Sequence, residues 1–467
     1  MIKYSHPIIF TSTYFLLLII LILPAGACKK FIDPGTPVTE LVAGTVYTND
    51  QKATATILSI YSGISGTNFS PGGNQSFSTM GGLSADELID YSITSGRAEY
   101  YANAVSVTNT TNLAIWRNTY QYIYQANAVL EGLEKSSGVS ATTKKDLQGQ
   151  AKFIRAFLYF YLTNCWGDVP YVTTTDYTVN SIARRTPQAE VYKGIIADLL
   201  DAQDLLPDTD VSGNRIQPSK WAAKALLSRV YLFLQDWQNA EATASEVISN
   251  SSAFTLLQDI TKVFLKDSRE TIWQLMPVVP DHNSSEGYNY ILTTKPNYVA
   301  LSAQIVNAFE PGDKRKAYWV GNFTSGSQTY YYTSKYKVKI ASSLSEYSVI
   351  LRLSELYLIR AEARAQQNKL LGANSAVADI DPLRLRAGLS PSVAVSQLQI
   401  LDAVMQERKV ELFTEWGNRW FDLKRTGKAD AVLSMVKGSG WQPTDKFYPI
   451  PQREIANDNQ LTQNAGY

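Results

Sequence analysis

The amino-acid sequence predicts a mainly α fold, with antiparallel helix pairs stacked on one another, irregular aromatic-rich loop insertions and a few short strands. Three observations carry this prediction. Apolar residues recur at spacings of three and four over most of the chain, as in Ala53, Ile57, Ile60, Tyr61 and Ile64. Two stretches, about 66–110 and 260–346, lose that period and fill with Tyr among Gly, Asn, Ser and Thr. The composition is globular, at 467 residues with 45% hydrophobic and 18% charged. Its bias lies in 28 Tyr and 9 Trp against 16 Phe, rings that combine an apolar face with a polar handle.

The chain opens with one firm charge, Lys3, and an apolar run from Ile8 to Leu23 that is densest from Phe15. Pro24-Ala-Gly-Ala27 follows, then Cys28. A cationic start, an apolar core and small residues at the cut predict a secretory signal peptide over 1–27. The apolar run, interrupted at Thr11–Thr13, is too short for a good membrane span. Cys28 stands where it resembles the lipobox cysteine of bacterial lipoproteins, with Ala25 at a position where that pattern prefers Leu. The expected mature chain is a single domain, 28–467, acylated on Cys28 and anchored rather than spanning. The alternative is an ordinary signal peptide with a free cysteine nearby. Loss of residues 1–27 removes Lys3 and no acid, so 43 − 1 = 42 basic residues face 42 acidic ones. That balance argues against nucleic acid as a partner. With Cys28 used for the anchor, Cys165 is the one thiol left, and its place in an apolar helix predicts a small buried hydrophobe.

Residues 29–48 read as a tether, and a helix starts at Asp50 and closes at Gly63 and Gly66. Residues 66–110, with a Pro71-Gly-Gly73 turn, read as a long loop or hairpin insertion. Helical spacing returns over 113–135 and from Lys144 to Cys165, where Phe153, Phe157 and Phe160 share one side and Gly167 terminates. Thr186-Pro187 opens the next helix, which runs to Pro207. From Pro218, Ala222, Leu226, Val230 and Phe233 mark a helix apolar over much of its circumference, and a second follows with Ala240, Ala244 and Val247. This pair resembles a tetratricopeptide unit, with a weaker copy at Leu353–Ala376. The 260–346 insertion between the copies holds Tyr288, Tyr290, Trp319 and Tyr330-Tyr-Tyr332, and alternation predicts a strand at Tyr336–Ile340. Residues 395–426 are helical, and 441–467 read as coil.

Ordered along the chain are segments that together resemble the SusD/RagB family: Cys28-Lys-Lys-Phe-Ile-Asp33, Trp116…Tyr120…Ala126-Asn127, Ala151-Lys-Phe-Ile-Arg-Ala156…Trp166-Gly-Asp-Val-Pro170, Leu351-Arg-Leu-Ser-Glu-Leu-Tyr-Leu-Ile-Arg-Ala-Glu362, Glu407-Arg408…Arg419-Trp-Phe-Asp-Leu-Lys-Arg425 and Pro449-Ile-Pro451…Gln463-Asn464…Gly466-Tyr467. One departure is Asp381-Pro382, where Pro would kink or restart the helix. The resemblance implies a right-angled array of tetratricopeptide-like pairs carrying an aromatic ligand face. It further implies a surface lipoprotein of the outer membrane, facing the cell exterior. Such a protein sits as a lid on a SusC-like TonB-dependent transporter and hands it a glycan, or a peptide in the RagB branch. A helical-repeat scaffold with no ligand is the remaining alternative.

The residues themselves give no catalytic set. Glu407, Glu411 and Glu415 stack on one helical face among Arg408, Arg419 and Asp422, which reads as an ion-pair network rather than the paired acids of a glycosidase. Glu355 and Glu362 with Arg352 and Arg360 read the same way, and Asp86-Glu87 reads as a loop cap. Two histidines and two cysteines argue against a metal site, and no cofactor is expected. Only His282 would ordinarily titrate near neutrality in the mature chain. Binding chemistry is expected of the tyrosine pool, since sugar rings stack a C–H face on an aromatic ring while their hydroxyls need polar partners. The candidate contacts are Tyr91, Tyr100, Tyr101, Tyr288, Tyr290, Trp319 and Tyr331. Trp116, Trp166, Trp221, Trp237, Trp416 and Trp420 lie at helical spacing and are expected in the core.

Overall fold

The computed structural model describes residues 46–66, 76–92 and 96–467. The signal-peptide span, Cys28, the tether up to residue 45 and the Pro71-Gly-Gly73 turn lie outside these. From Tyr47 to Tyr467 the described residues form one compact unit.

The first half is helical. Helix α1 (Asp50–Gly66) precedes α2 (Phe77–Ser84), strand β1 (Leu88–Asp90) and α3 (Gly96–Ala102). Two 26-residue helices follow, α4 (Thr110–Lys135) and α5 (Ala141–Trp166). Side chains one residue outside each helix start them: Asn109 accepts from the Asn112 amide at 2.9 Å and Ser140 from that of Thr143 at 3.4 Å. Gly167, at φ +74°, ends α5 as predicted. Strand β2 (Val169–Pro170), the single turn α6 (Tyr177–Asn180) and β3 (Arg185–Thr186) lead to α7 (Gln188–Leu205), α8 (Lys220–Phe233) and α9 (Trp237–Ser249).

The insertion then supplies β4 (Thr271–Leu275), α10 (Ser285–Tyr290), β5 (Val299–Leu301), α11 (Ala303–Val306), α12 (Lys314–Trp319), β6 (Val320–Ser325), β7 (Gln328–Thr333) and β8 (Ser348–Arg352). It is followed by α13 (Leu353–Gln366), α14 (Ala376–Arg386), α15 (Gln397–Glu411), α16 (Asn418–Arg425), α17 (Ala429–Lys437) and α18 (Gln452–Asn457). The strands form four two-stranded antiparallel sheets, β1–β5, β2–β3, β4–β8 and β6–β7.

The helices stack in series, α4 on α5, α5 on α7, α7 on α8, α8 on α9, and α13 on α14 and α15. The two tetratricopeptide-like pairs join directly, because α9 packs on α13 across the whole insertion. Glu241 of α9 clamps this joint, accepting from Arg364 at 3.1 Å, Lys369 at 2.6 Å and Gln367 at 2.8 Å. The apolar core includes a chain of edge-to-face rings: Phe153 and Phe157 lie 4.8 and 5.1 Å from Trp273, and Phe157 meets Trp416 at 5.4 Å. Cys165 is buried and free of disulfide, and burial raises its thiol to about 12, so it is the inert hydrophobe expected.

Several expectations need correction. Residues 66–110 are not one irregular loop: α2, β1 and α3 occupy much of the segment. Helix α2 has no apolar stripe because all eight of its residues are buried, so no 3.6-residue period appears. Its Gly81 lies against Gly417, where an added Cβ would come within 2.7 Å of the Gly417 Cα. Gly417 in turn has φ +71°, so both positions require glycine. Tyr336–Ile340 is not a strand, since the amides of Lys337 and Val338 donate to the Glu346 carboxylate at 2.7 and 3.0 Å instead of to a neighbouring strand. Pro382 does not restart a helix, for α14 runs through it unbroken. The tail 441–467 contains α18 and a 3-10 turn at Pro443–Lys446. Trp116, Trp166, Trp416 and Trp420 are core, whereas Trp221 and Trp237 are half-buried at helix starts.

Candidate ligand-binding site

A tyrosine platform forms where the two predicted insertions meet. Strand β1 pairs with β5 in the register Leu88↔Leu301 to Asp90↔Val299, and the Tyr91 amide extends it by donating to the Tyr298 carbonyl at 2.7 Å. Tyr91 and Tyr298 therefore leave the ends of paired strands together, 38% and 45% exposed. Tyr330 of β7 meets Tyr91 edge to face with centroids 5.5 Å apart. Helix α3 packs against β1 and presents Tyr101, 37% exposed, beside these rings; burial first, then the neighbouring Tyr330 and Tyr101, push the Tyr91 phenol above its ordinary value. Cations pack on two of the rings: the buried Arg97 guanidinium lies 4.8 Å over Tyr298, and Lys437 lies 4.2 Å over Tyr101. Lys437 is fixed by donating to the carbonyls of Leu83 and Tyr101 at 2.9 and 2.8 Å. Arg97 also stands 3.7 Å from Asp90, whose carboxylate accepts from Ser92.

Of the seven candidate contacts, this platform brings together Tyr91 and Tyr101. Tyr331 is exposed but points to the other face of the β6–β7 hairpin, because successive strand residues alternate, so Tyr330 takes the place predicted for it. Tyr288 is exposed elsewhere, its ring stacked on His282 at 3.6 Å and 20°. Tyr100, Tyr290 and Trp319 are corrections, all three being buried packing residues. Tyr100 packs edge to face on Tyr448 at 4.9 Å, Tyr290 bonds the Thr79 hydroxyl at 2.9 Å, and the Trp319 indole donates to the Ile260 carbonyl at 3.1 Å. Tyr298, Tyr330 and Arg97 were missed. The available signal was the period-2 alternation of Gln328–Thr333, which separates Tyr330 from Tyr331.

Beneath the platform lies Asp86-Glu87, which is no surface loop cap. Burial opposes ionisation of Asp86, but Arg419 at 2.7 Å and Lys409 at 3.0 Å bring it down to about 2. Glu87, one residue on, is pushed up to about 8 by burial and by the Asp86 charge. Its main-chain carbonyl accepts from the Ser302 amide at 2.8 Å and its side chain from that of Thr414 at 3.2 Å, which ties β1 to the helical layer. Titration near neutrality is thus not confined to His282: Lys437 is also brought down to about 8, chiefly by burial.

The Glu407–Glu411–Glu415 acids do form an ion-pair network, with partners the sequence did not identify. Glu411 accepts from Arg315 at 3.1 Å, Arg352 at 2.7 Å and Arg386 at 2.5 Å. Glu407 takes Arg315 at 2.7 Å and Glu415 takes Arg352 at 2.8 Å together with Lys335. Arg408 turns to Asp422 and Arg419 to Asp86. Glu355 pairs with Arg229, Glu362 with Arg425, and Arg360 with Asp379. Burial works against the Glu411 carboxylate, yet the surrounding guanidiniums hold it far below the usual range, the opposite of a proton donor. Among the described residues no group of three or more His, Cys, Asp or Glu could hold a metal ion, and no helix is long and apolar enough to cross a membrane.

Comparison with known proteins agrees with this architecture. Residues 71–232 match the family described as starch-binding associating with outer membrane, and residues 320–467 match the SusD family. A SusD-like protein P2 of Formosa agariphila is 29% identical over 437 residues, covering 80% of this chain and 84% of the relative. A SusD superfamily protein of Bacteroides vulgatus superposes with a TM-score of 0.78 at 20% identity, over 90% of this chain and 100% of that one. A laminarin-binding SusD-like protein gives 0.75 at 24% identity, over 90% and 100%. The chain belongs to the SusD/RagB family, a family of binding proteins rather than enzymes.

Proposed function

We propose that the tyrosine platform binds a neutral glycan chain, and that the protein is an outer-membrane lipoprotein which holds that chain for a SusC-like TonB-dependent transporter. The observation that carries the reading is the grouping of Tyr91, Tyr101, Tyr298 and Tyr330, from three separated segments, through the β1–β5 pairing, the packing of α3 on β1 and the Tyr91–Tyr330 contact, each of the four rings partly exposed. Exposed rings offer stacking area, and the phenols offer partners to hydroxyls, while the buried side chains of Arg97 and Asp90 support the rings from behind. The starch-binding and laminarin-binding descriptions of related proteins support a glucan-type ligand. A shallow platform gains little per ring while an ordered glycan loses chain entropy, so affinity in the micromolar to millimolar range is expected. Confinement at a transporter mouth would raise the effective ligand concentration. Acylation of Cys28 supplies the anchor in this reading, with the folded part facing the cell exterior.

Affinity electrophoresis in gels containing laminarin or starch tests the binding. Retardation of the wild type and its loss in Tyr91→Ala/Tyr330→Ala is expected; retardation unchanged in that variant would overturn the platform, and saturable peptide binding without glycan binding would move the protein to the RagB-like reading. Detergent-phase partitioning of wild type but not of Cys28→Ala tests the anchor, and equal partitioning would refute it.

A further inference from the structure

A second recess lies on α4, sharing no lining residue with the platform. Trp116, Tyr120 and Tyr124 follow one another at intervals of four, so their rings line one face of the helix. Trp116 and Tyr120 are in contact with centroids 5.0 Å apart, and Tyr124 is 51% exposed at the open end. They line a groove of about 380 Å³, within the size range of small-ligand sites. One wall is held rigidly to α4 and α5: the Tyr120 hydroxyl donates to the Pro170 carbonyl at 2.8 Å, and that of Tyr159 to the Val172 carbonyl at 2.9 Å. Glu131 accepts from the Thr174 hydroxyl and the Thr175 amide at 2.9 and 2.8 Å. The other wall is the C-terminal segment, where Glu454 and Asp458 line the groove.

The polar lining is acceptor-rich. Asn180 donates through Nδ2 to the Thr174 carbonyl at 2.8 Å, but its Oδ1 is buried and has no donor among the described residues. A buried acceptor without a partner is costly, and because Asn180 lines the groove a turn of its side chain would let a ligand hydroxyl satisfy it. Glu454 is already paired with Arg117 at 2.7 Å, and Asp458 is engaged in its own turn, accepting from the Gln460 amide at 2.9 Å. Tilted rings that open to solvent at Tyr124, one unpartnered acceptor and a carboxylate already paired with Arg117 together fit a neutral ligand carrying hydroxyl donors.

We infer that this groove is a second saccharide site, taking a short stretch of the same kind of neutral glycan as the platform. The inference rests on the glycan reading for the choice of ligand but on different residues for the site. Two sites on one lid would hold a polymer at two points, and the second contact would be intramolecular, which raises avidity without deepening either site.

The test uses the full mature chain labelled with 3-fluorotyrosine, with resonances assigned by single Tyr→Phe variants, titrated with laminarihexaose and maltohexaose. Saturable movement of the Tyr124 resonance is expected in wild type and equally in Tyr91→Ala/Tyr330→Ala, with Asn180→Ala raising the dissociation constant read at Tyr124 about tenfold. Movement of Tyr91 and Tyr330 with Tyr124 unmoved would overturn the groove and leave the platform. Movement of Tyr124 alone would overturn the platform and uphold the groove, and no movement at any of them would overturn both. Displacement of Tyr124 by a mixed tripeptide pool but by neither glucan would overturn the saccharide assignment.

Discussion

Glu411→Gln is the substitution whose consequence follows most directly from the geometry. The Glu411 side chain is fully buried, with Oε1 accepting from Arg352 at 2.7 Å and Arg386 at 2.5 Å and Oε2 from Arg315 at 3.1 Å. Glutamine has the same shape but only one acceptor. Whichever way its amide is turned, the NH2 group faces at least one guanidinium, donor against donor, and one negative charge is lost from among three buried cations. The main-chain carbonyl of Glu411 still accepts from Arg352 and Lys335, and Glu407, Glu415 and Glu270 remain, so the loss is partial rather than complete. Breaking a buried ion pair on one side typically destabilises by about 3–5 kcal/mol, and that range is expected here. Asp402→Asn is the control: its pair with Lys428, at 2.8 Å, is exposed, and about 1 kcal/mol or less is expected. Equilibrium urea unfolding of the three proteins at neutral pH reads both effects. The same samples should bind glucan equally when folded, because the network does not touch the platform. An Glu411→Gln protein within about 1 kcal/mol of wild type, or no less stable than Asp402→Asn, would refute the reasoning.

Stability should fall as pH rises from about 4.5 to 8, because Glu87 and Glu286 are both pushed up to about 8 by burial and the folded state then holds protons that the unfolded chain releases. Melting temperature measured across that window should drop, and Glu87→Gln should flatten part of the slope; a rise over the window, with the same slope in the variant, would contradict the assignment. Below that window the sign reverses for Asp86, whose depressed value stabilises above its unfolded value of 3.8 and is lost as pH falls through about 2. Gly81→Ala should destabilise by about 1–3 kcal/mol in urea unfolding, since the new methyl group would meet backbone at Gly417 rather than a side chain that can yield. In isothermal titration with laminarihexaose, Tyr330→Ala should weaken binding several-fold and Tyr331→Ala should leave it unchanged; equal losses would mean that the hairpin face is misassigned. Cys165 should resist alkylation by iodoacetamide until denaturant is added, given its burial and raised thiol value.

The sequence by itself determined the helical layers. Residues 113–135, 144–165 and 218–248 carry an apolar period that only a helix can bury, and their capping residues lie where the period starts and stops. It also carried the family resemblance and the pairing of acids with arginines in the last helices, because residue type at helical spacing is a local property. Tertiary structure decided the rest. Helix α2 was illegible because burial on every side erases the periodicity that marks a helix, and Tyr336–Ile340 alternates like a strand but satisfies its amides on Glu346. Which arginine meets which glutamate depended on the insertion folding back, so that Arg315 and Lys335 reach acids 96 and 80 residues away. The platform depended on it most. Tyr91, Tyr101, Tyr298 and Tyr330 come from segments separated by up to 239 positions (330 − 91), and they meet only because β1 pairs with β5 and the β6–β7 hairpin lies beside them. No local pattern distinguishes an exposed tyrosine from a buried one within an irregular segment; strand pairing, and the one-residue alternation it imposes, separates Tyr330 from Tyr331, whereas Tyr100 is core and Tyr101 surface because α3 turns Tyr100 onto Tyr448.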